Sequence, residues 1–387
     1  METPFGPIDP NAFADTPLFR EIQRVLSSSS GPVNWELARQ IGIASAQEGR
    51  EDSAPTDQDR HSFEEAARVA ELHVARFTGL EPPVDVAPVQ AVRVAEWVTA
   101  NTEGLRELLE PAAAKVTAAM GDVTLGSIPP EAGAMGGFLQ QLSPLLLGAQ
   151  VGTVLGFLGQ HVLGQYDVAV PRSGPGKLLF VSSNVARFEH DWSLDPTDFR
   201  TFVALHEVTH RFEFARPWAG PRLRELLDDF LSTLQIDVEG IQRRISSLDA
   251  ADPEAMQSLL ESDEGLFGAV LDDEQRIKLG RVQAFMAAAE GYGDHVAHEL
   301  GRELLPTYAR IDEAMRRYRE DEHVDPVFER LLGVEMKREQ YAQGRAFCDT
   351  VVELTDQSML ARMWDSVDAM PSLPEIEEPR LWLARTV

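Results

Sequence analysis

The segment from Ala204 to His210 contains two histidines four residues apart, with a glutamate directly after the first. Residues at this spacing lie on the same face of an α-helix, one turn apart, so His206 and His210 can bind one metal ion together. Glu207 follows the first histidine, where its carboxylate can reach a water molecule at the metal and act as a general base. The spacing therefore predicts a helix that carries a metal site.

The surrounding residues also favour a helix. Asp195 is an N-cap candidate, and Pro196 is tolerated in the first turn of a helix. Apolar residues then follow at helical spacing, namely Phe199, Phe202, Val203, Leu205 and Phe212. The motif H-E-x-x-H in such a helix is typical of zinc peptidases. Arg211 departs from the longer consensus sequence of the zincins, which prefers an uncharged residue at that position. The alternative is that both histidines are ordinary core or surface residues.

A zinc site of this type needs a third protein ligand. In metzincins the motif continues with a glycine and a histidine, but this chain has Glu213 and Arg216 at those positions. Glu213 lies close to one turn past His210 on the same helix, which is a poor direction for completing a tetrahedron. We therefore expect the third ligand to come from another part of the chain.

Glu290 and Asp294 follow 80 residues downstream of the motif, and their Glu-x-x-x-Asp spacing resembles that of the gluzincins, the thermolysin-like zincins. The resemblance implies that Glu290 is the third ligand and that Asp294 orients His206 or His210 through a hydrogen bond. Because this spacing is common in acidic chains, both residues could instead be solvent-facing charges on a helix. If Glu290 is not the third ligand, the alternative ligands are Asp294, His295, His298 and His190.

The helix that carries Glu290 contains two glycines. Gly291 and Gly293 lower its helix propensity, which indicates that its backbone packs closely against the first helix. Hydrolysis at zinc also needs a donor to the developing oxyanion. Tyr292, Tyr341 and Arg345 are candidates for that role or for substrate binding, but no spacing fixes any of them. Each tyrosine could equally be a packed core residue with a hydrogen-bonded hydroxyl.

Residues Lys177–Val181 are mostly apolar and predict a strand. A strand beside the metal helix can line the cleft and pair with an extended substrate. We assign this role to Leu178–Val185, with Asn184 as a polar anchor for the substrate. The alternative is a simple buried strand.

The segment Ala132–Leu163 has no Asp, Glu, Lys or Arg and is long enough to cross a bilayer. It also contains several glutamines, Pro144 and seven glycines, and no basic cluster flanks it. These features favour a pair of buried, glycine-packed core helices over a membrane span. A membrane-associated protease that uses this segment is the alternative.

The composition limits the partners and the compartment. A formal net charge of −28 over 387 residues argues against nucleic acid or an anionic membrane as a partner and is compatible with basic substrates. The single cysteine, Cys348, excludes an intramolecular disulfide, fits a reducing compartment and is expected to be a buried structural thiol. The acidic N-terminus has no secretory signal, so we expect a cytoplasmic location.

Turn and loop signals along the chain predict a helical N-terminal region (residues 1–170) and a catalytic region (residues 171–387). The N-terminal region holds the glycine-rich helices, and both regions could form one continuous domain. We expect Glu48–Gln58 to be a mobile loop and Trp382 to dock the C-terminal tail. Helical patterns occur at Phe63–Phe77, Val89–Ala100 and Leu105–Met120, and after Asp325.

Much of the chain from Pro130 onward resembles a bacterial family of zincin-like metallopeptidases. Its members are labelled as hydrolases or as proteins associated with deazaflavin coenzyme biosynthesis. The segments that carry the resemblance are Leu163–Asp167, Asn184–Ala186, Phe199–Phe214, Glu290–Tyr292, Lys337–Phe347 and Leu381–Arg385. The resemblance implies a mostly α fold, with a zincin-like core and a small β element beside the H-E-x-x-H helix. It implies no particular substrate.

Together these features predict a zinc-dependent hydrolase that cleaves peptide or amide bonds in a peptide or protein substrate. His206, His210 and Glu290 would hold Zn²⁺, Glu207 would be the general base, and Asp294 would orient a ligand. The alternative function is that of a catalytically silent zincin-fold scaffold or binding protein.

Overall fold

The structure is a computed structural model that describes residues 31–84, 88–127, 133–165, 177–233, 272–320 and 338–386. These parts of the chain are almost entirely helical, and they contain one sheet of two parallel strands. The mostly α fold with a small β element, predicted from the sequence, is confirmed.

The first described helices are α1 (Trp35–Gln47) and α2 (Asp57–Thr78). Helix α1 begins where the Asn34 side chain accepts a hydrogen bond from the backbone of Leu37. Helix α2 begins with a capping box at Thr56 and ends at Gly79, whose left-handed conformation suits glycine. Because α2 spans the predicted segment Phe63–Phe77, that prediction is confirmed.

Strand β1 (Val89–Val92) precedes the long helices α3 (Val94–Ser127) and α4 (Gly133–His161). The helix predicted for Val89–Ala100 is therefore wrong in its first part. Pairing with another strand overrides the local helical pattern there, and the Asp52 carboxylate then caps α3 by accepting from the backbone of Val94 and Ala95. The segment predicted as Leu105–Met120 is part of the same helix, which continues through Pro111.

The glycine-rich segment forms one helix, α4, and not the predicted pair of helices. Pro144 lies inside it without ending it. Its glycines let α1 approach closely, as a Cβ atom added at Gly152 would lie 2.7 Å from the Ala38 carbonyl oxygen. No helix in the described parts of the chain is long and apolar enough to cross a membrane. The predicted packing of small residues in the core is thus observed.

The loop between α1 and α2 has fixed contacts, contrary to the predicted mobility of Glu48–Gln58. Besides the capping contact of Asp52, the Arg50 guanidinium donates to the Gln160 carbonyl oxygen at the end of α4 over 2.5 Å. The loop therefore ties α1, α3 and α4 together.

Strand β2 (Leu178–Val181) pairs in parallel with β1, from Val89 opposite Leu178 to Val92 opposite Val181. The predicted strand at Lys177–Val181 is confirmed. The chain continues through α5 (Ser182–Asp191), α6 (Pro196–Phe214) and α7 (Ala219–Thr233). As expected, α6 begins at Asp195, whose carboxylate accepts from the backbone of Thr197 and Asp198.

The C-terminal part is helical, with the tail docked onto it. Trp382 is fully buried, donates to the Ala369 carbonyl oxygen over 2.7 Å and packs against Phe347, as predicted. The α-helices here are α8 (Asp273–Leu304), α9 (Tyr308–Glu320), α10 (Arg338–Leu354), α11 (Gln357–Ala361), α12 (Leu373–Glu377) and α13 (Pro379–Thr386). Short 3₁₀ turns occupy Arg362–Trp364 and Val367–Ala369.

Helices α6 and α8 lie at the centre of the molecule. Helix α6 packs against α2 and α8, and α8 also packs against α7 and α10. Because the two central helices carry the motif and Glu290, the fold brings these residues together. The division at residue 170 stays a prediction, and the sheet takes one strand from either side of it.

Candidate metal centre

His206 and His210 on α6 and Glu290 on α8 form a cluster of three possible metal ligands. The Nε2 atoms of the two histidines are 3.1 Å apart, and Oε2 of Glu290 lies 3.8 Å from the first and 3.7 Å from the second. A circle through three atoms at these distances has a radius of about 2.1 Å, which matches the zinc–nitrogen and zinc–oxygen bond lengths in proteins. The residues therefore fit a zinc ion.

The cluster is closed on one side and open on the other. His210 is 1% exposed, whereas the side chains of His206 and Glu290 are 15% and 19% exposed. A ligand set that leaves one side accessible is typical of catalytic rather than structural zinc sites.

Gly293 lets α8 reach the histidines. A Cβ atom added there would lie 2.8 Å from Cε1 and 2.9 Å from Nε2 of His210, which is closer than real contacts allow. Gly291 faces a different helix, because a Cβ atom there would overlap the backbone of Gly344 on α10. Of the two glycines that predicted close packing against α6, Gly293 therefore makes that contact and Gly291 packs against α10.

Each histidine has a carboxylate beside its other ring nitrogen. Oδ1 of Asp294 lies 3.5 Å from Nδ1 of His206. Asp294 is the carboxylate that the sequence predicts to orient one of the two histidines. Oε2 of Glu213 lies 2.8 Å from Nδ1 of His210, and both of these side chains are buried. Sequence reasoning set Glu213 aside as a ligand and missed this hydrogen bond, although residues three apart on a helix are neighbours.

The acidic surroundings change the proton affinity of His210. Burial opposes its positive charge, but the carboxylates of Glu213, Glu290 and Glu207 outweigh burial and raise the pKa of His210 to about 10. Burial also raises the pKa of Glu213, an effect that His210 partly offsets. In the metal-free protein His210 is therefore held as a cation among carboxylates, a place that suits a metal cation equally well.

Glu207 is fully buried and lies against the backbone of Gly164. A Cβ atom added at Gly164 would overlap the Glu207 carboxyl group. The segment that contains Gly164 is fixed by two contacts: the Trp97 indole donates to the Gly164 carbonyl oxygen over 3.1 Å, and the Val181 backbone donates to Leu163 over 2.9 Å. Glu207 is thus held in a defined position beside the cluster without belonging to it.

A model of the zincin-like metallopeptidases matches residues 33–383. The chain belongs to this family. Among solved structures, it is similar to a protein from Chloroflexus aurantiacus described as "a putative hydrolase with a novel fold", with 29% identity and a TM-score of 0.65. The similarity covers 91% of this chain and 98% of that one. No curated protein matches the sequence.

The alternative ligands of this zincin-like metallopeptidase lie outside the cluster. His295 bonds to Asp349 on α10 over 2.7 Å, and His298 lies 2.6 Å from the Tyr308 hydroxyl. His190 is exposed beside Asp191. Asp294 is near the cluster but faces Nδ1 of His206, as described above.

One of the proposed donors to substrate, Tyr292, is placed away from that role. Tyr292 is fully buried against Trp364, and burial raises the pKa of its hydroxyl well above its ordinary value. It is a core residue, so its assignment as an oxyanion donor is corrected. The side chain of Tyr341 lies outside the described residues. Arg345 is 29% exposed and lies 3.6 Å from the Asp349 carboxylate, so it stays a candidate for substrate contact.

Strand β2 and Asn184 also differ from their predicted roles. The strand ends at Val181, and its side opposite β1 is occupied by an antiparallel bridge between Phe180 and Gly164. Asn184 lies on α5 and donates to the carbonyl oxygens of Gly159 and Val162, at the end of α4. The outer edge of β2 and the Asn184 amide therefore bond to the backbone of this chain. The predicted pairing of Leu178–Val185 with a substrate is corrected.

Two residues that stood out in the sequence have structural partners. Arg211, the charged departure from the consensus, is buried and forms a 2.7 Å ion pair with Glu71 on α2. Cys348 is buried, as expected, and burial raises the pKa of its thiol well above the usual range. Neither residue is part of the cluster.

Proposed function

We propose that this protein is a zinc-dependent peptidase. His206, His210 and Glu290 hold Zn²⁺, and Glu207 is the general base. The observation that carries the proposal is the spacing of the three ligand atoms, which fits one zinc ion at ordinary bond lengths. Family membership supports the same chemistry.

Bound zinc would supply a Lewis acid that polarises a peptide carbonyl and makes a water molecule more acidic. The protein's own groups then handle the protons. The Glu207 carboxylate accepts a proton from the attacking water and passes it to the leaving amine. The backbone of Gly164 keeps this carboxylate in place, while Asp294 lies beside the ring of His206 and orients it.

The substrate class follows from the family and from charge. A peptide or protein is the substrate of a metallopeptidase, and a net charge of −28 favours cationic peptides over anionic ones and over nucleic acid. The proposed location is the cytoplasm, as expected from the sequence.

The first experiment measures zinc per chain by elemental mass spectrometry, on protein purified without added metal and after zinc is supplied. Zinc-loaded protein is then incubated with a library of quenched fluorescent peptides that includes cationic members. Glu207→Gln should keep about one zinc per chain and lose hydrolysis, because glutamine cannot accept the proton. Equal turnover by this variant would exclude the mechanism, and a wild-type protein that binds no zinc would exclude the metal site.

The second candidate function is a catalytically silent zinc-binding scaffold. The observation that favours it is the complete burial of Glu207 under Gly164, because a general base must reach water and substrate. Zinc binding without cleavage of any library peptide would support the scaffold. Cleavage that is lost in Glu207→Gln would exclude it.

A further inference from the structure

Glu213 is a carboxylate buried behind the metal ligands. It lies on α6 three residues after His210, and its Oε2 atom is 2.8 Å from Nδ1 of that histidine. Its side chain is 0% exposed. Among the described residues His210 is its only ion-pair partner, and its other carboxylate oxygen has no hydrogen-bond partner there.

A buried carboxylate with so few partners lowers the stability of the folded state. Removing a charged group from water costs several kcal/mol unless it is fully paired, and an apolar side chain of similar volume would be neutral or stabilising in many such places. His210 offsets part of this cost, but two other buried neighbours of Glu213 do not. Burial raises the pKa of both Tyr292 and Cys348, and the negative charge of Glu213 raises each pKa further. A carboxylate at this position is therefore better explained by what it does to His210 than by core stability.

The geometry indicates what that effect is. A histidine that binds a metal through one ring nitrogen is neutral and carries its proton on the other, and an acceptor for that proton fixes the ring. Glu213 lies at Nδ1, and Nε2 of the same ring points toward His206 and Glu290. An acceptor at Nδ1 leaves Nε2 free to bind the metal.

We propose that Glu213 is the positioning residue that fixes the ring and tautomer of His210, so that Nε2 faces the metal. The inference rests on the proposed function, since it assumes the metal site. It adds a second orienting carboxylate to the one expected from the sequence. Asp294 acts on His206 from α8, and Glu213 acts on His210 from within α6, so each histidine is held by its own carboxylate.

The test is the zinc affinity of the full-length protein, measured by competition with a chromophoric chelator at a single pH. We expect Glu213→Leu, which has no acceptor, to bind Zn²⁺ about 10–100-fold more weakly than the wild type. Glu213→Gln keeps an amide oxygen that can accept from Nδ1, so we expect a smaller loss. The position of the proton on the His210 ring, measured as described below, distinguishes an orienting role from a packing role.

Asp349→Asn is the matched control for Glu213→Gln, because both changes replace a carboxylate with its amide. Asp349 makes the same kind of contact with a buried histidine, 2.7 Å from Nδ1 of His295, but that pair lies outside the metal cluster. We expect its zinc affinity to equal that of the wild type. An equal loss in Asp349→Asn would overturn the inference, because the effect would then come from breaking any buried histidine pair.

The remaining outcomes separate this inference from the proposed function. If the wild type binds zinc and Glu213→Leu binds it within about threefold, the positioning role is wrong and the metal site stands. If the wild type binds no zinc, the proposed function fails and this inference fails with it.

A measurement on the wild type covers the case in which the variants do not fold. Long-range ¹H–¹⁵N correlation spectra of histidine-labelled, zinc-loaded protein report which ring nitrogen carries the proton. We expect His210 to be protonated at Nδ1 and metal-bound at Nε2. The reverse tautomer would overturn the inference.

Discussion

Glu290 is the proposed ligand that the second central helix contributes to the cluster. Its replacement by alanine removes the only carboxylate among the three ligands. We expect Glu290→Ala to weaken zinc binding at least about 100-fold, because losing a ligand costs more than losing an outer hydrogen bond. The measurement is chelator competition, with Glu303→Ala, an exposed glutamate on the same helix, as the control. Unchanged affinity would point to Asp294 as the ligand instead.

Gly164 lies directly against the Glu207 carboxyl group. In Gly164→Ala the new methyl group would overlap the Glu207 carboxyl group, so one of the two must move. We expect hydrolysis to fall at least about tenfold while zinc content stays constant, since a misplaced general base loses part of a contribution of about 10²–10⁴-fold. The matched control is Gly220→Ala, where an added Cβ atom meets no atom within 4 Å. Full activity in Gly164→Ala would show that the overlap is relieved without moving Glu207.

At the scale of residues, spacing in the sequence predicts which side chains meet on one helix. It does not predict contacts between segments that are distant in the sequence. His206, Glu207 and His210 are placed by one helical turn, and their grouping follows from sequence alone. The contact between Gly164 and Glu207 joins segments that only the fold brings together, so no spacing reveals it. The same reason explains the prediction that Asn184 anchors a substrate. Its actual partners are the carbonyl oxygens at the end of α4, and no spacing in the sequence indicates that contact.

At the scale of helices, the crossing of α8 and α10 affects the position of Glu290, the proposed third ligand. Gly344 lies so close to α8 that an added Cβ atom would overlap the Ala287 carbonyl group, and Gly291 faces it from α8. We expect Gly344→Ala to destabilise the protein by about 1–3 kcal/mol, as overpacking does elsewhere, and to weaken zinc binding because α8 carries Glu290. Thermal denaturation and chelator competition measure the two effects.

The control for that prediction is a glycine on α8, Gly280. An added Cβ atom at Gly280 meets only Leu373, at 3.4 Å, an ordinary contact distance. Replacing a helical glycine with alanine removes backbone entropy from the unfolded chain and stabilises by about 0.5–1 kcal/mol. Gly280→Ala should therefore be as stable as the wild type or more so. A similar loss in both variants would mean that the helix crossing is not specially close.

Element predictions failed where tertiary pairing decides the structure. Residues Val89–Val92 fit a helical pattern, yet they form β1 because β2 pairs with them. The glycine-rich segment around Pro144 is predicted as two helices, yet it forms α4 alone. Helix α4 continues through Pro144 because its packing against α1 outweighs the one hydrogen bond that proline removes. By contrast, α6 and β2 were predicted well, since a local cap and a short apolar run define them.

At the scale of the whole molecule, the proposed metal site is an acidic centre in an acidic protein. Carboxylates of Glu207, Glu213 and Glu290 surround His210, and the chain carries a net charge of −28. Zinc that binds the folded state but not the unfolded one stabilises the protein by RT ln(1 + [Zn]/Kd), about 4 kcal/mol at a thousandfold excess over Kd. The proposed metal and the stability of the fold are therefore coupled.

The same centre predicts how stability depends on pH. In the metal-free protein the pKa of His210 is raised to about 10, compared with about 6.5 for an unfolded histidine. A raised folded-state pKa stabilises fully below about pH 6.5, and that contribution is lost as the pH rises toward 10. We therefore expect the melting temperature of the metal-free protein to fall between pH 7 and 10.

The zinc-loaded protein is the control for this pH dependence, because it has the same surface charges but a His210 that carries no extra proton. Self-repulsion of the acidic surface acts on both forms, so the difference between their melting temperatures isolates the centre. We expect that difference to widen from pH 7 to pH 10, as the metal-free form loses the charged His210 and zinc no longer competes with its proton. Calorimetry in chelator and in zinc at each pH measures it. A difference that stays constant would mean that His210 is neutral in the metal-free protein, and that its carboxylate neighbours do not hold a cation there.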